Sequence, residues 1–397
     1  MADRLPRVTI KPRRARPFFA RHPWVFVTSI ERVEDDPEPG GEVEVVSHEG
    51  RVIGCGLFNP SSAIRVRLYR WDEGPLDDNF WLEKLRRAVA MRTDILGLGA
   101  PRAGYRLVYS EGDGLSGLVV DRYDRWVVAQ YTSLALFNRR HRIAEILREL
   151  TQAEGVLTRT ERSTAEQEGL PFPSEDLLGT LPIEPIEIVE NGITYWVDLR
   201  AGQKTGFFLD QRENRSAVAA YCRGRRVLDL YSYTGGFALN ASRAGAASVL
   251  GVDSSGVAVE VARHHATING IEGVEFVQGD CLVQLDELRS AGRRFDVVIC
   301  DPPKFARSPR NVEDALKAYL KLNRAALDVL EPGGILVTCS CSGLVDRGLF
   351  ADVLGQVAEL STRPVQILEQ RGQAPDHPVS ASCLETEYLK CFICRVG

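Results

Sequence analysis

The strongest constraint on this chain lies in its second half, where short, nearly unbroken apolar runs alternate with helical stretches. The runs are Arg226–Leu230, Ser248–Asp253, Val274–Gln278, Phe295–Cys300 and Gly334–Cys339, and helical periodicity fills 236–244, 255–269, 281–291 and 312–330 between them. A strand apolar at consecutive positions is covered on both faces, as in a parallel sheet wound by helices and unlike a half-exposed antiparallel one. Pro364–Glu369 and Tyr388–Val396 add two terminal strands, so the pattern predicts an α/β, seven-stranded, doubly wound domain over 196–397. No 20–50 residue repeat points to a solenoid.

The first half has a different texture. Val43–Val46, Val52–Phe58 and Ile64–Tyr69 are separated by turn residues and predict a small all-β domain over 1–75. Helical spacing across 79–97 marks a connector, and Arg106–Tyr109, Gly117–Asp121, Trp126–Tyr131, a helix at 138–150 and strands near 155–160 and 186–198 predict a central α+β domain over 76–195. Within it, 161–185 is rich in Pro, Glu and Ser and is expected to be a flexible insertion. A chain of 397 residues accommodates two or three domains at roughly 150 residues each.

The net charge of −5 argues against bulk electrostatic coating of nucleic acid. The charge is uneven, however: residues 1–30 carry +6, leaving −11 for the remainder. A basic arm bearing Arg13, Arg14 and Arg21, with Trp24 beside it, is a candidate for phosphate and base contact, and deleting it is expected to flatten a salt dependence. The competing reading makes Trp24 and Phe26 core residues. Pro and Arg interrupt every early apolar run, which speaks against a signal peptide, and no run reaches the 18 or so residues of a membrane span. The nine cysteines are odd in number and mostly in apolar runs, so free thiols and a cytoplasmic location are expected.

In a doubly wound sheet the ligand lies at the carboxyl ends of the strands. The first strand ends Val227-Leu228-Asp229-Leu230-Tyr231-Ser232-Tyr233-Thr234-Gly235-Gly236-Phe237, a small-residue turn with two glycines opening a helix. Neither G-x-G-x-x-G nor G-x-x-x-x-G-K-[ST] occurs there, which counts against dinucleotide and triphosphate sites. Asp253 ends the second strand, followed by Ser254. Asp280 ends the third, followed by Cys281, and Asp301 ends the fourth. One strand-end Asp is usually a cap; four in succession indicate a site, with Asp253 suited to ribose hydroxyls.

These residues resemble the motifs of class I S-adenosylmethionine-dependent methyltransferases. Gly202–Arg212, Tyr231–Phe237, Asp301-Pro302-Pro303-Lys304-Phe305 and Ser340-Cys341-Ser342-Gly343-Leu344 resemble, more narrowly, the RlmI-type ribosomal RNA cytosine-5 methyltransferases along the whole chain. The resemblance implies an N-terminal PUA-like small β-barrel, a central α+β domain and a Rossmann-like methyltransferase domain. It also implies S-adenosyl-L-methionine as cofactor, large-subunit ribosomal RNA as partner, no membrane, no metal, and a homodimer as the assembly to test. Asp229, Ser232, Thr234, Gly235, Gly236, Phe237, Asp253, Ser254, Asp280, Cys281 and Asp301 become the cofactor candidates. Asp210 and Arg212 join them, Arg212 as a partner for the methionine carboxylate, and Lys204 as an RNA contact.

Methylating cytosine C5 requires a thiolate that adds to C6. Cys339 and Cys341 share one strand face; Cys341 lies nearer the loop and matches the nucleophile position of the resemblance, while Cys339 is expected to pack inside. A thiol near pKa 8.5 needs a positive neighbour, and topology offers Lys304. Asp301 is the candidate for the amino or N3 edge of the base. Two rivals stand: amino-group methylation through Asp301-Pro302-Pro303, and an RNA-binding assembly factor without turnover. Cys391 and Cys394 read as core residues, and His264 and His265 as surface polar residues.

Overall fold

Arg226–Leu230 (β1), Ser248–Asp253 (β2), Val274–Gln278 (β3), Phe295–Cys300 (β4), Leu330–Ser340 (β5), Val365–Arg371 (β6) and Lys390–Val396 (β7) form one sheet in the computed structural model, which describes residues 4–72, 74–173, 175–200, 206–306 and 308–397. Their order is β3-β2-β1-β4-β5-β7-β6. β1 pairs in parallel with β2 and β4, β2 with β3, and β4 with β5, whereas β7 runs antiparallel to both of its neighbours. Val227, Leu228, Val297, Val298, Leu336 and Val337 are fully buried, the physical reason these strands read as unbroken apolar runs.

Among the described residues, six helices accompany the sheet: α1 (Arg212–Ala219), α2 (Gly236–Arg243), α3 (Gly256–Ile268), α4 (Cys281–Ser290), α5 (Val312–Asp328) and α6 (Arg347–Ser361). α4, α5 and α6 bury Leu285, Tyr319 and Phe350 in one cluster with Leu228, Leu336 and Phe392 of the sheet. α6 has no counterpart among the expected helices. Its Phe350, Val353, Leu354 and Val357 fall at helical spacing and are buried.

The described residues divide into two compact units. Val189–Trp196, Phe208–Ala374 and Glu387–Gly397 make the unit above; Met1–Ile188, Val197–Phe207 and Pro375–Thr386 make the other. The expected first and second domains therefore share one body, which also takes in a short segment from near the end of the chain.

In that body a six-stranded sheet has the order Trp24–Phe26, Ile64–Arg70, Val52–Phe58, Glu42–Val46, Arg7–Ile10, Ile30–Val33. The basic segment is thus no detachable arm: Val8, Ile10 and Val25 are fully buried core residues. Deleting 1–30 would remove sheet strands, so charge substitutions at exposed Arg13 and Arg14 are the usable probe. A second sheet has the order Glu175–Gly179, Gly155–Arg159, Trp126–Tyr131, Leu118–Tyr123, Gly104–Tyr109. The expected flexible insertion contains a helix, Arg162–Glu168, and a strand, Glu175–Gly179. Helix Arg162–Glu168 ends on a buried carboxylate that accepts from Asn59 Nδ2 (3.0 Å), Ser62 Oγ (2.6 Å) and Arg67 Nη2 (3.0 Å), and Glu175–Gly179 pairs with Gly155–Arg159. Composition misleads there because the partners lie about a hundred residues away.

Candidate active site

Strand order reverses between β1 and β4, and the loop after β4 meets the loop after β5, where Ala306 N donates to Ser342 Oγ at 3.2 Å. The loop after β1 is held in an unusual conformation, with Tyr231 at φ 61°, Tyr233 at φ 48° and Gly235 at φ 86°. Left-handed backbone at a non-glycine residue costs about 1–3 kcal/mol and persists only where surrounding bonds impose it. Those bonds are Ser232 N to the Val252 carbonyl (3.0 Å), Tyr233 N to Asp253 Oδ2 (2.8 Å) and Ala238 N to Asp229 Oδ2 (2.9 Å). A Cβ at Gly236 would lie 2.6 Å from Arg215 Nε, so glycine is required there by close approach.

The strand-end acids take distinct roles. Asp229 is fully buried, and burial pushes its carboxyl up to about 8; the Ala238 N–H opposes this, while Asp301 and Asp253 add to it. Asp253 accepts Tyr233 N on one oxygen and Ser255 N on the other (2.9 Å). Asp280 caps α4, accepting from Leu282 N and Val283 N at 2.9 and 3.1 Å, which is the bland role open to any strand-end Asp. The Cys281 thiol points inward to the Val252 carbonyl, and burial raises it to about 12, so its side chain does not face the loops. Ser254 is exposed, whereas Ser232, Thr234, Gly236 and Phe237 are buried.

Ahead of β1, Asp210 accepts from Tyr388 Oη, and Arg212 pairs with Glu213 (2.9 Å). Lys204 lies outside the described residues. Gln211, which the sequence did not single out, donates to Asp301 Oδ2 (3.0 Å). It accepts in turn from Asn214 Nδ2 (2.6 Å), whose Oδ1 accepts from Arg371 Nε (3.0 Å). A chain of hydrogen bonds thereby fixes the Asp301 carboxylate.

Cys341 follows β5 directly, is partly exposed, and has Sγ 4.0 Å from the Pro302 carbonyl oxygen. Cys339 is fully buried opposite Cys391 in the β5–β7 register, its thiol raised well above the ordinary range by the Cys391 side chain and by burial. Cys391 and Cys394 are also fully buried. Lys304 is exposed; a cation whose charge interacts with Cys341 is Lys390, at the start of β7. A lysine within an otherwise apolar strand pattern was the available sequence signal.

His265 corrects the surface reading. It is fully buried and accepts Trp196 N on Nε2 (2.7 Å), which leaves the ring proton on Nδ1 to reach the Thr234 carbonyl (3.0 Å). Burial pulls its pKa down to about 4. The unfolded chain therefore binds the proton more readily, so stability present above about pH 6.5 is lost as pH falls toward 4, roughly 3 kcal/mol from this residue. Urea unfolding at pH 7 and pH 5 should show this loss in the native chain and a smaller one in His265→Gln; identical losses would contradict it.

In the other unit, His22, Cys383 and Glu385 place potential metal ligands within 4.8 Å of one another. His22 Nδ1 accepts from Trp24 N (3.3 Å), so the ring proton lies on Nε2 and faces Glu385 (3.4 Å). Metal-bound imidazoles donate from the second nitrogen; this one accepts there, and the trio is a hydrogen-bonded cluster. Trp24 Nε1 donates to Glu111 Oε1 (2.8 Å), which fixes the ring.

Residues 141–385 match the model of the S-adenosylmethionine-dependent methyltransferases, and residues 8–71 match that of a PUA-like domain. The chain belongs to the S-adenosylmethionine-dependent methyltransferases. It is 39% identical over 388 residues to ribosomal RNA large subunit methyltransferase I of Aeromonas salmonicida, covering 96% of this chain and 97% of that one. To the protein of the same name from Shewanella denitrificans it is 40% identical over 398 residues, covering 98% and 99%. Its fold matches that of a methyltransferase crystallised with S-adenosylhomocysteine at a TM-score of 0.85 and 21% identity, over 98% of this chain and 99% of that one.

The residues of this methyltransferase fit its cofactor, S-adenosylmethionine. Among the described residues, Asp229 Oδ1 and Ser232 Oγ are buried without a hydrogen-bond partner, and the strained loop presents them beside Gly235 and Gly236, where a ligand can approach the backbone.

Proposed function

We propose that this methyltransferase forms 5-methylcytosine in large-subunit ribosomal RNA, with Cys341 as the nucleophile. The placement of Cys341 carries the reading: a partly exposed thiol at the end of β5, against the Pro302 carbonyl that follows β4. The names of the two relatives support the RNA class. S-adenosylmethionine, when bound, supplies an electrophilic methyl group on a sulfonium. The Cys341 thiolate adds to C6 and makes C5 nucleophilic; after methylation, loss of the C5 proton and cleavage of the C6–S bond regenerate the thiolate. Asp301, fixed by Gln211, takes the amino or N3 edge of the base. Asp229, Ser232 and the Thr234–Phe237 backbone hold the cofactor with Asp253 at the ribose, Arg212 is the candidate for the carboxylate, and exposed Arg13, Arg14 and Arg21 take phosphates.

A buried carboxyl near 8 is protonated at neutral pH, and a cation entering the loop favours its ionised form. Cofactor binding is therefore expected to release close to one proton at pH 7, and affinity should rise between pH 6 and pH 8. Calorimetry in two buffers of different ionisation enthalpy reads the proton count, and a count near zero would remove Asp229 from this role.

RNA substituted with 5-fluorocytidine tests the main reading, since C5 then has no proton to lose and the adduct persists. A covalent complex mapping to Cys341, with 5-methylcytidine as the product nucleoside on normal RNA, is expected. Methyl on an exocyclic amine and no complex would shift the reading to the amino-group rival.

A further inference from the structure

Among the charged side chains in the methyltransferase unit, Lys390 stands apart. It is 1% exposed, and among the described residues no carboxylate lies within ion-pair distance of its ammonium. Burying an ammonium without an opposite charge is costly, and such a residue is retained where something compensates for it. Two of its three N–H donors are committed to backbone: Nζ donates to the Ser342 carbonyl at 2.7 Å and to the Tyr388 carbonyl at 2.8 Å. These bonds fix the ammonium against the residue that follows Cys341, because Ser340 and Lys390 are register partners across β5 and β7.

The surroundings of Lys390 point the same way. Among the described residues, the charged and titratable groups whose charges act on it are Cys341 after β5, Glu387 just ahead of β7, and Asp346 and Arg347 at the start of α6. Two of these acids are already engaged: Glu387 pairs with Arg347 at 2.6 Å, and Asp346 caps α6 by accepting Leu349 N at 2.8 Å. Of the opposite charges acting on Lys390, Cys341 is the foremost. Ser342, whose carbonyl receives the ammonium, is itself fully buried, and its hydroxyl accepts from Ala306 N (3.2 Å) and meets Tyr319 Oη (3.3 Å), so the segment carrying Cys341 cannot drift from the cation.

We infer that Lys390 is a positioning residue that holds Cys341 as a thiolate, the role that topology offered to Lys304. The inference deepens the proposed function and rests on its assignment of Cys341 as nucleophile. No proton need pass to Lys390: it stays an ammonium, the thiol proton goes to solvent, and the resulting pair titrates as a unit. Burial lowers Lys390 to about 8, against the charges of Cys341 and Glu387, so the cation is still largely protonated at pH 7.

The test measures the thiol itself, without RNA. Full-length protein is alkylated with iodoacetamide between about pH 5 and pH 10, and modification of Cys341 is followed by mass spectrometry, site by site. In the native chain Cys341 should react with an apparent pKa at least one unit below the usual 8.5; a value of 8.5 or above overturns the inference without any variant. Lys390→Met should raise that pKa by more than a unit, about tenfold slower alkylation at pH 7, with S-adenosylmethionine affinity unchanged, while Lys390→Arg should restore part of the reactivity. An unchanged pH profile in Lys390→Met overturns it. If Cys341→Ala still methylates RNA, the nucleophile assignment fails while the thiol measurement keeps its own outcome.

Discussion

Cys341→Ala is expected to lower RNA methylation on the order of 10⁴-fold or more, because removing the group that forms the covalent bond leaves only binding and orientation to catalyse. S-adenosylmethionine binding should stay within a few-fold of native, since the atoms that fit the cofactor, Asp229 Oδ1 and Ser232 Oγ, belong to β1 and its loop. Cys339→Ala is the contrasting variant. Its thiol is fully buried opposite Cys391 and raised far above neutral pH, so it cannot supply a thiolate. That substitution should cost about 1 kcal/mol of stability for the lost packing and leave turnover within a few-fold. Single-turnover methylation with labelled cofactor separates the two. Normal turnover in Cys341→Ala would end the nucleophile assignment.

Arg215→Ala should be the most damaging substitution for stability, at about 3–5 kcal/mol, because it strands a buried carboxylate. Arg215 Nη1 pairs with Glu190 Oε1 at 2.6 Å, with side chains 5% and 1% exposed, and Nη2 donates to the Phe208 carbonyl at 2.7 Å. The same guanidinium fills the space beside Gly236, so its loss also loosens the cofactor loop. Replacing both partners, as Glu190→Gln with Arg215→Met, should recover part of the loss because no charge is left buried alone. Urea unfolding measures both, and a loss below 1 kcal/mol in Arg215→Ala would show that the pair contributes little.

The sheet was legible because its strands are buried on both faces, and that burial writes itself into consecutive apolar residues. β1 to β4 begin and end where the pattern places them. Helix α6 was missed although its apolar spacing is present. The 161–185 segment was misread because Glu168 is held by Asn59, Ser62 and Arg67, partners that local composition cannot reveal. The basic N-terminal segment looked like an arm for the same reason: its charges are local, while the pairing that folds Arg7–Ile10 and Trp24–Phe26 into a sheet is not. Adjacent histidines suggested a surface, yet His265 closes a buried link from Trp196 to Thr234.

At the site, the sequence by itself picked out the acids at successive strand ends and the glycines of the first loop from position along a strand of known period, and it proposed Cys341 over Cys339 from that position together with the family resemblance. Tertiary structure alone decided which groups surround them. β7 comes from the end of the chain and inserts antiparallel between β5 and β6, and that places Lys390 and Tyr388 beside residues far away in sequence. Gln211 reaches Asp301 in the same way, across 90 residues. Electrostatic partnership depends on distance through space and on exclusion of water, and neither is encoded in the spacing of residues along one strand.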